Sequence, residues 1–139
     1  MKHLLLKLYA AAVLAVVGHE LSHFAVAKLF RFSKIYLCIG IKGFWGVEFK
    51  NCFLSPFALS SYVEIENHNQ GRRGTIQMIL FYFAGIFFNL SLAIMAWLIQ
   101  SESIYVTNLL LALASLLPVK AFKSDCFELL QYLKRNKTK

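Results

Sequence analysis

The chain has 139 residues, 58% of them hydrophobic and only 16% charged, with a mean hydropathy of +0.58. A soluble domain is about half apolar and about a quarter charged, so this is a membrane composition, with room for one compact unit and none for a separate soluble domain. The net charge of +8 is not a nucleic-acid signature, because the basic residues fall in blocks beside the apolar segments, as topology signals do.

Residues 4–30 are nearly all Leu, Ala, Val and Phe. At about 1.5 Å per residue they are long enough to cross a hydrocarbon core of roughly 30 Å. Into this run the sequence sets Gly18-His19-Glu20-Leu21-Ser22-His23, and ionisable groups at membrane depth mark a functional site by default. On a helix His19 and His23 share one face and can offer ring nitrogens to one metal ion. Zinc suits them: it takes neutral imidazole, and a catalytic site has three protein ligands with the fourth position left to water. Glu20 then stands beside the first ligand, where a carboxylate can accept a proton from that water and return it to a leaving amine. This is the H-E-x-x-H arrangement of zinc peptidases; the alternative is a hydrogen-bonded polar cluster between helices. The segment ends at Lys28 and Arg31, so the motif lies nearer that end and is reachable from that side. It is too long for a signal-peptide core and carries the ligands within it.

Between residues 32 and 66 the pattern turns to short β-branched and aromatic runs, at residues 35–39, 44–49 and 62–65, punctuated by Gly40, Gly43, Gly46 and Ser55-Pro56. Two to four strands are expected here, a membrane-associated β-hairpin or small sheet. The alternative is an irregular interfacial loop anchored by Phe44, Trp45 and Phe57. Cys38, Cys52 and Cys126 lack C-x-x-C spacing and are odd in number, which reads as free thiols on a reducing side. A polar linker with His68, Arg72 and Arg73 leads to a second span at 76–99, where Asn89 is the one strongly polar interior side chain. In lipid an amide needs a partner, so Asn89 faces the bundle.

A short loop, residues 100–107, precedes a third span at 106–117 that is interrupted at Pro118. A short helix at 126–134 and a basic tail at 134–139 complete a mainly α membrane protein with three transmembrane helices. Proline removes a backbone donor, which is tolerated at membrane depth where the chain lines a cavity, and a third metal ligand could be presented there. Asp125 is the first candidate and Glu128 the second; Asp125 could equally be the N-cap of the helix that follows. Lys and Arg are concentrated at 32–74 and in the tail and absent from the loop between spans two and three. With three spans this puts the N-terminus outside and the β-like region and tail in the cytoplasm, with Lys2 and Lys7 the exceptions. The expected location is the bacterial cytoplasmic membrane, multi-pass.

In the order of its motifs the chain resembles the site-2 protease family of intramembrane zinc metalloproteases. Gly18-His-Glu-Leu-Ser-His23 is similar to the motif of that family's first core helix, and Ile39-Gly-Ile-Lys-Gly43 to its glycine-punctuated strand. Leu59-Ser-Ser-Tyr-Val-Glu-Ile65 resembles its Gly-Gly-Tyr-Val segment with serine for both glycines. Ala84-Gly-Ile-Phe-Phe-Asn89 is similar to Ala-Gly-Pro-x-x-Asn, with Ile86 at the proline. Ser115-Leu-Leu-Pro118 and then Phe122-Lys-Ser-Asp-Cys126 resemble Asn-x-x-Pro leading to Asp-Gly. The resemblance implies His19, His23 and Asp125 as Zn2+ ligands, Glu20 as catalytic base, and Asn89 near the substrate or oxyanion. Ser115, Ile86, Cys126 and the long spacing from Pro118 to Asp125 are departures.

The function this implies is hydrolysis of a peptide bond in a single-span membrane protein or a short hydrophobic precursor or signal peptide. Such a helix must unwind, and the unwound peptide could add as a strand to the sheet edge at 35–65. Without a peptide-binding or regulatory domain, size filtering would need self-association or an accessory partner. The rival readings are a zinc carrier or sensor, for which Glu20 is dispensable, and a catalytically idle relative acting as a chaperone or immunity protein.

Overall fold

Ala11, Ala15, His19, His23 and Ala27 recur at every fourth position, and on a helix they make one stripe. The computed structural model, which describes residues 2–41, 45–55, 58, 61–66, 72–120 and 123–137, buries all five. The described elements run α1 (Lys2–Leu29), β1 (Ser33–Ile39), β2 (Val47–Phe49), β3 (Cys52–Leu54), β4 (Ser61–Glu66), α2 (Arg72–Leu98), α3 (Glu102–Leu116) and α4 (Asp125–Lys137). Small residues line the seams between helices: Gly85, Ala93 and Ala96 on α2, and Ala112 and Ser115 on α3, are buried too. They let backbones approach closely, as helices do when packing rather than hydrophobic expulsion must hold them. At Gly18 an added Cβ would fall on the Phe88 ring, so α1 and α2 interlock at the residue just before His19.

Two helical stretches, Leu4–Leu29 and Gly74–Leu98, are long and apolar enough to cross a membrane. Only 17% of the most apolar window of the first and 33% of that of the second is buried within the chain. Their outward rows, with Leu5, Leu14 and Leu21 on α1 and Leu80, Phe87 and Ile94 on α2, are exposed, a surface for lipid or another apolar partner to cover. The expected third span is shorter: α3 has 15 residues, about 22 Å of helix against a core of roughly 30 Å.

The boundaries moved where local chemistry outweighs hydropathy. Glu102 begins α3 although residues 100–107 read as a loop, because a carboxylate suits a helix N-terminus and the apolar face already includes Ile104. Residues 134–137 of the expected basic tail continue α4, where cations suit a C-terminus. Both long helices close with a non-glycine residue in the left-handed region: Arg31 (φ 54°) donates to the Lys28 carbonyl and Phe32 to that of Ala27, and Gln100 (φ 56°) and Ser101 repeat the pattern on Trp97 and Ala96. These are Schellman ends, which satisfy the last carbonyls.

The region between α1 and α2 is a four-stranded sheet of order β2-β3-β1-β4. It is mixed: β1 pairs antiparallel with β4 but parallel with β3, which forms an antiparallel pair with β2. Four strands lie within the two to four expected, whereas the three-residue strand at Cys52–Leu54 and its parallel pairing with β1 are not among the runs read from the sequence. The expected run at 44–49 is a strand only from Val47; Phe44, Phe57 and His68 lie outside the described residues, and Trp45 is exposed. Gly40 leaves β1 at φ 102°, a conformation that glycine adopts without strain. Leu37, Ile39 and Ala58 pack on Val13, Val17 and Phe24 of α1, while Phe32 and Ile35 join Ala27, Met78 and Phe81. The sheet therefore lies along α1 beside the histidine turn.

Candidate metal centre

The H-E-x-x-H spacing puts both imidazoles on the buried face of α1, and the chain beyond Pro118 returns to meet them. His19 and His23 are 6% and 3% exposed. Their Nε2 atoms lie 3.2 Å apart, with Asp125 Oδ2 3.0 Å from His19 Nε2 and Oδ1 3.4 Å from His23 Nε2. One ligand atom from each residue can be chosen so that all lie within 4.8 Å of one another. Ligand atoms at about 2.0 to 2.1 Å from a tetrahedral zinc stand roughly 3.3 Å apart, so these separations fit one ion.

The donor chemistry fits as well. His23 Nδ1 lies 2.6 Å from the Phe81 carbonyl, which can only accept, so Nδ1 carries the proton and the neutral ring turns its Nε2 lone pair inward. That lone pair, the inward nitrogen of His19 and the Asp125 carboxylate converge, and acceptors so close need a cation or a shared proton between them. The carboxylate is ready for this. Burial pushes the Asp125 carboxyl up, but hydrogen bonds and charge from the two imidazoles outweigh it and hold the group well below the usual carboxylate range.

Asp125 reaches the histidines because another residue does the capping. Ser124 precedes α4; its hydroxyl donates to the Leu117 carbonyl at 2.5 Å and accepts from the Val119 and Phe127 N–H groups at 3.2 and 3.4 Å. One buried hydroxyl thus ties the Pro118 break to the start of α4. The N-cap role considered for Asp125 belongs to Ser124, and Asp125, at the first helical position, is free to point inward. Glu128, the second candidate ligand, is not in the cluster.

Glu20 is half-buried and within electrostatic reach of His23, His19 and Asp125, but it is not among the clustered ligands. Asn89 is fully buried, with Nδ2 2.9 Å from His19 Nδ1. It stands behind the His19 ring, on the edge away from the atom that meets Asp125.

Three contributors were not foreseen: the Phe81 carbonyl, the Ser124 hydroxyl and Gly85. Serine before an acidic first turn is a legible capping signal, whereas a backbone carbonyl leaves no sequence trace. A Cβ at Gly85 would collide with the His19 ring and stand 2.6 Å from His23 Nε2. Gly85→Ala is therefore expected to displace both rings and to weaken the uptake of a divalent ion well below that of wild type, read by metal analysis after loading both proteins; equal uptake would refute the close approach. No protein-family model, curated protein or solved structure matches this chain.

Proposed function

We propose that the chain is an intramembrane zinc-dependent endopeptidase of the site-2 protease kind, acting on a single-span membrane protein or a short hydrophobic precursor. The observation that carries this reading is the convergence of two imidazoles from one turn of α1 with a carboxylate 106 positions away, beside Glu20 and inside an apolar helix cluster. When bound, zinc would polarise the scissile carbonyl and acidify a water molecule. His19 and His23 present neutral nitrogen, and Asp125 brings the compensating negative charge. Glu20, one residue from the first ligand, takes the proton from water on its carboxylate and delivers it to the leaving amine. Ala15, Ala27 and Phe81 wall the turn with apolar surface and limit access of bulk water.

A helical substrate conceals its amides in its own hydrogen bonds, so it has to be extended before cleavage. The sheet offers two edges, β2 and β4, and β4 packs against α1, so a peptide added to β4 would run near the catalytic turn. On this reading the chain is multi-pass in a bacterial cytoplasmic membrane, with α3 and the Pro118 break as the third crossing. The N-terminus is outside, the site opens to the cytoplasmic side, and self-association or an accessory protein limits substrate size.

The test is cleavage by the purified chain in lipid nanodiscs of a panel of single-span proteins and hydrophobic precursors, read by mass. Cleavage should stop with a chelator and return with zinc. A zinc-loaded chain that cuts none of them would favour the carrier or sensor. Zinc affinity, measured by chelator competition over a series of falling pH, should fall as protons compete with the ion for both nitrogens. A flat profile would remove the histidines from the ligand set.

A further inference from the structure

The Asn89 carboxamide meets His19 at the ring atom opposite the metal-facing one. Asn89 Nδ2 is 2.9 Å from His19 Nδ1, and Asn89 Oδ1 has no hydrogen-bond partner among the described residues although the side chain is fully buried. With Nδ2 as donor, Nδ1 accepts and the single proton of a neutral ring sits on Nε2. Nε2 then has no lone pair for a metal. A half-turn of the carboxamide puts Oδ1 on Nδ1, where it accepts Nδ1–H and frees the Nε2 lone pair. Either orientation leaves one end of the amide without a partner, so hydrogen-bond satisfaction does not choose between them; the ligand requirement does.

We propose that Asn89 is a positioning residue: its carboxamide oxygen accepts Nδ1–H of His19 and fixes Nε2 as the metal-binding nitrogen. The inference rests on the metal-centre reading above. His23 supplies the parallel. Its Nδ1 is held by the Phe81 carbonyl at 2.6 Å, so α2 would orient both rings of α1, one through a main-chain oxygen and the other through a side-chain oxygen. Metal-bound histidines regularly donate their second N–H in this way, and the acceptor makes the ring a better ligand. Asn89 lies one turn beyond Gly85, the residue that lets the rings approach α2, so one stretch of α2 both admits the imidazoles and sets their proton.

The experiment compares wild type, Asn89→Leu and Asn89→Asp for zinc affinity by chelator competition, with thermal unfolding of the chelator-treated proteins as the control for fold. Leucine keeps the volume without an acceptor and is expected to weaken zinc binding by about 10- to 100-fold. Aspartate keeps an acceptor oxygen but has no N–H to donate, and is expected to bind zinc as tightly as wild type or more so. Unchanged affinity in Asn89→Leu overturns the proposal, as does equal loss in both variants, which would make the residue a donor or a packing element. If Asn89→Leu does not fold, Asn89→Asp decides alone: retained affinity supports the acceptor role and loss overturns it. A folded wild type that takes up no zinc overturns the metal-centre reading itself and this inference with it.

Discussion

In the peptidase proposed above, Glu20→Ala should stop peptide hydrolysis while leaving zinc in place. The carboxylate adjoins the first ligand but stands outside the His19, His23 and Asp125 cluster, so its removal takes away a proton acceptor and no ligand. General acid and base groups contribute about 10²- to 10⁴-fold, which corresponds to roughly 3 to 5 kcal/mol of barrier, and one residue serving both proton transfers belongs at the upper end. The measurement is cleavage rate in nanodiscs beside zinc content on the same preparation. Cleavage that persists with zinc bound would take the base role from Glu20. Loss of zinc together with rate would make it a ligand.

Asp125→Asn has the other large expected effect. The amide keeps the shape but withdraws the negative charge from between two imidazoles 3.0 and 3.4 Å away, and one oxygen becomes a donor aimed at a cation. Loss of a group that only orients a ligand costs about 10- to 100-fold in metal affinity, so loss of the charged ligand itself should cost more than about 100-fold. Glu128→Gln, one turn along α4, should bind zinc like wild type. The reverse ranking would move the third ligand to Glu128.

What could be read in the sequence was what repeats or is spaced regularly. The four-residue interval of His19 and His23 predicts one helix face, and the structure continues that face through Ala11, Ala15 and Ala27. The glycine-broken run after residue 32 is a sheet, but its third strand is three residues long and pairs in parallel with β1, with β2 intervening in the chain, which local alternation cannot report. That Asn89 faces the bundle was legible, whereas its contact with His19 was not: it depends on how closely α1 and α2 cross, and Gly85 settles that by what it lacks. Asp125 could be named a candidate, whereas its freedom to face inward depended on Ser124 taking the cap.

The histidines and the aspartate stand 106 and 102 positions apart along the chain, so an ion between them would be a cross-link as well as a reagent. A bridge closing a loop of about 100 residues is worth on the order of 5 kcal/mol in lost freedom of the unfolded chain, most of a small protein's net stability. Such a clasp cannot form until the start of α4 has been synthesised, because Asp125 lies there. Stripping the ion would first loosen α4 and leave the tightly crossed pair of long helices standing.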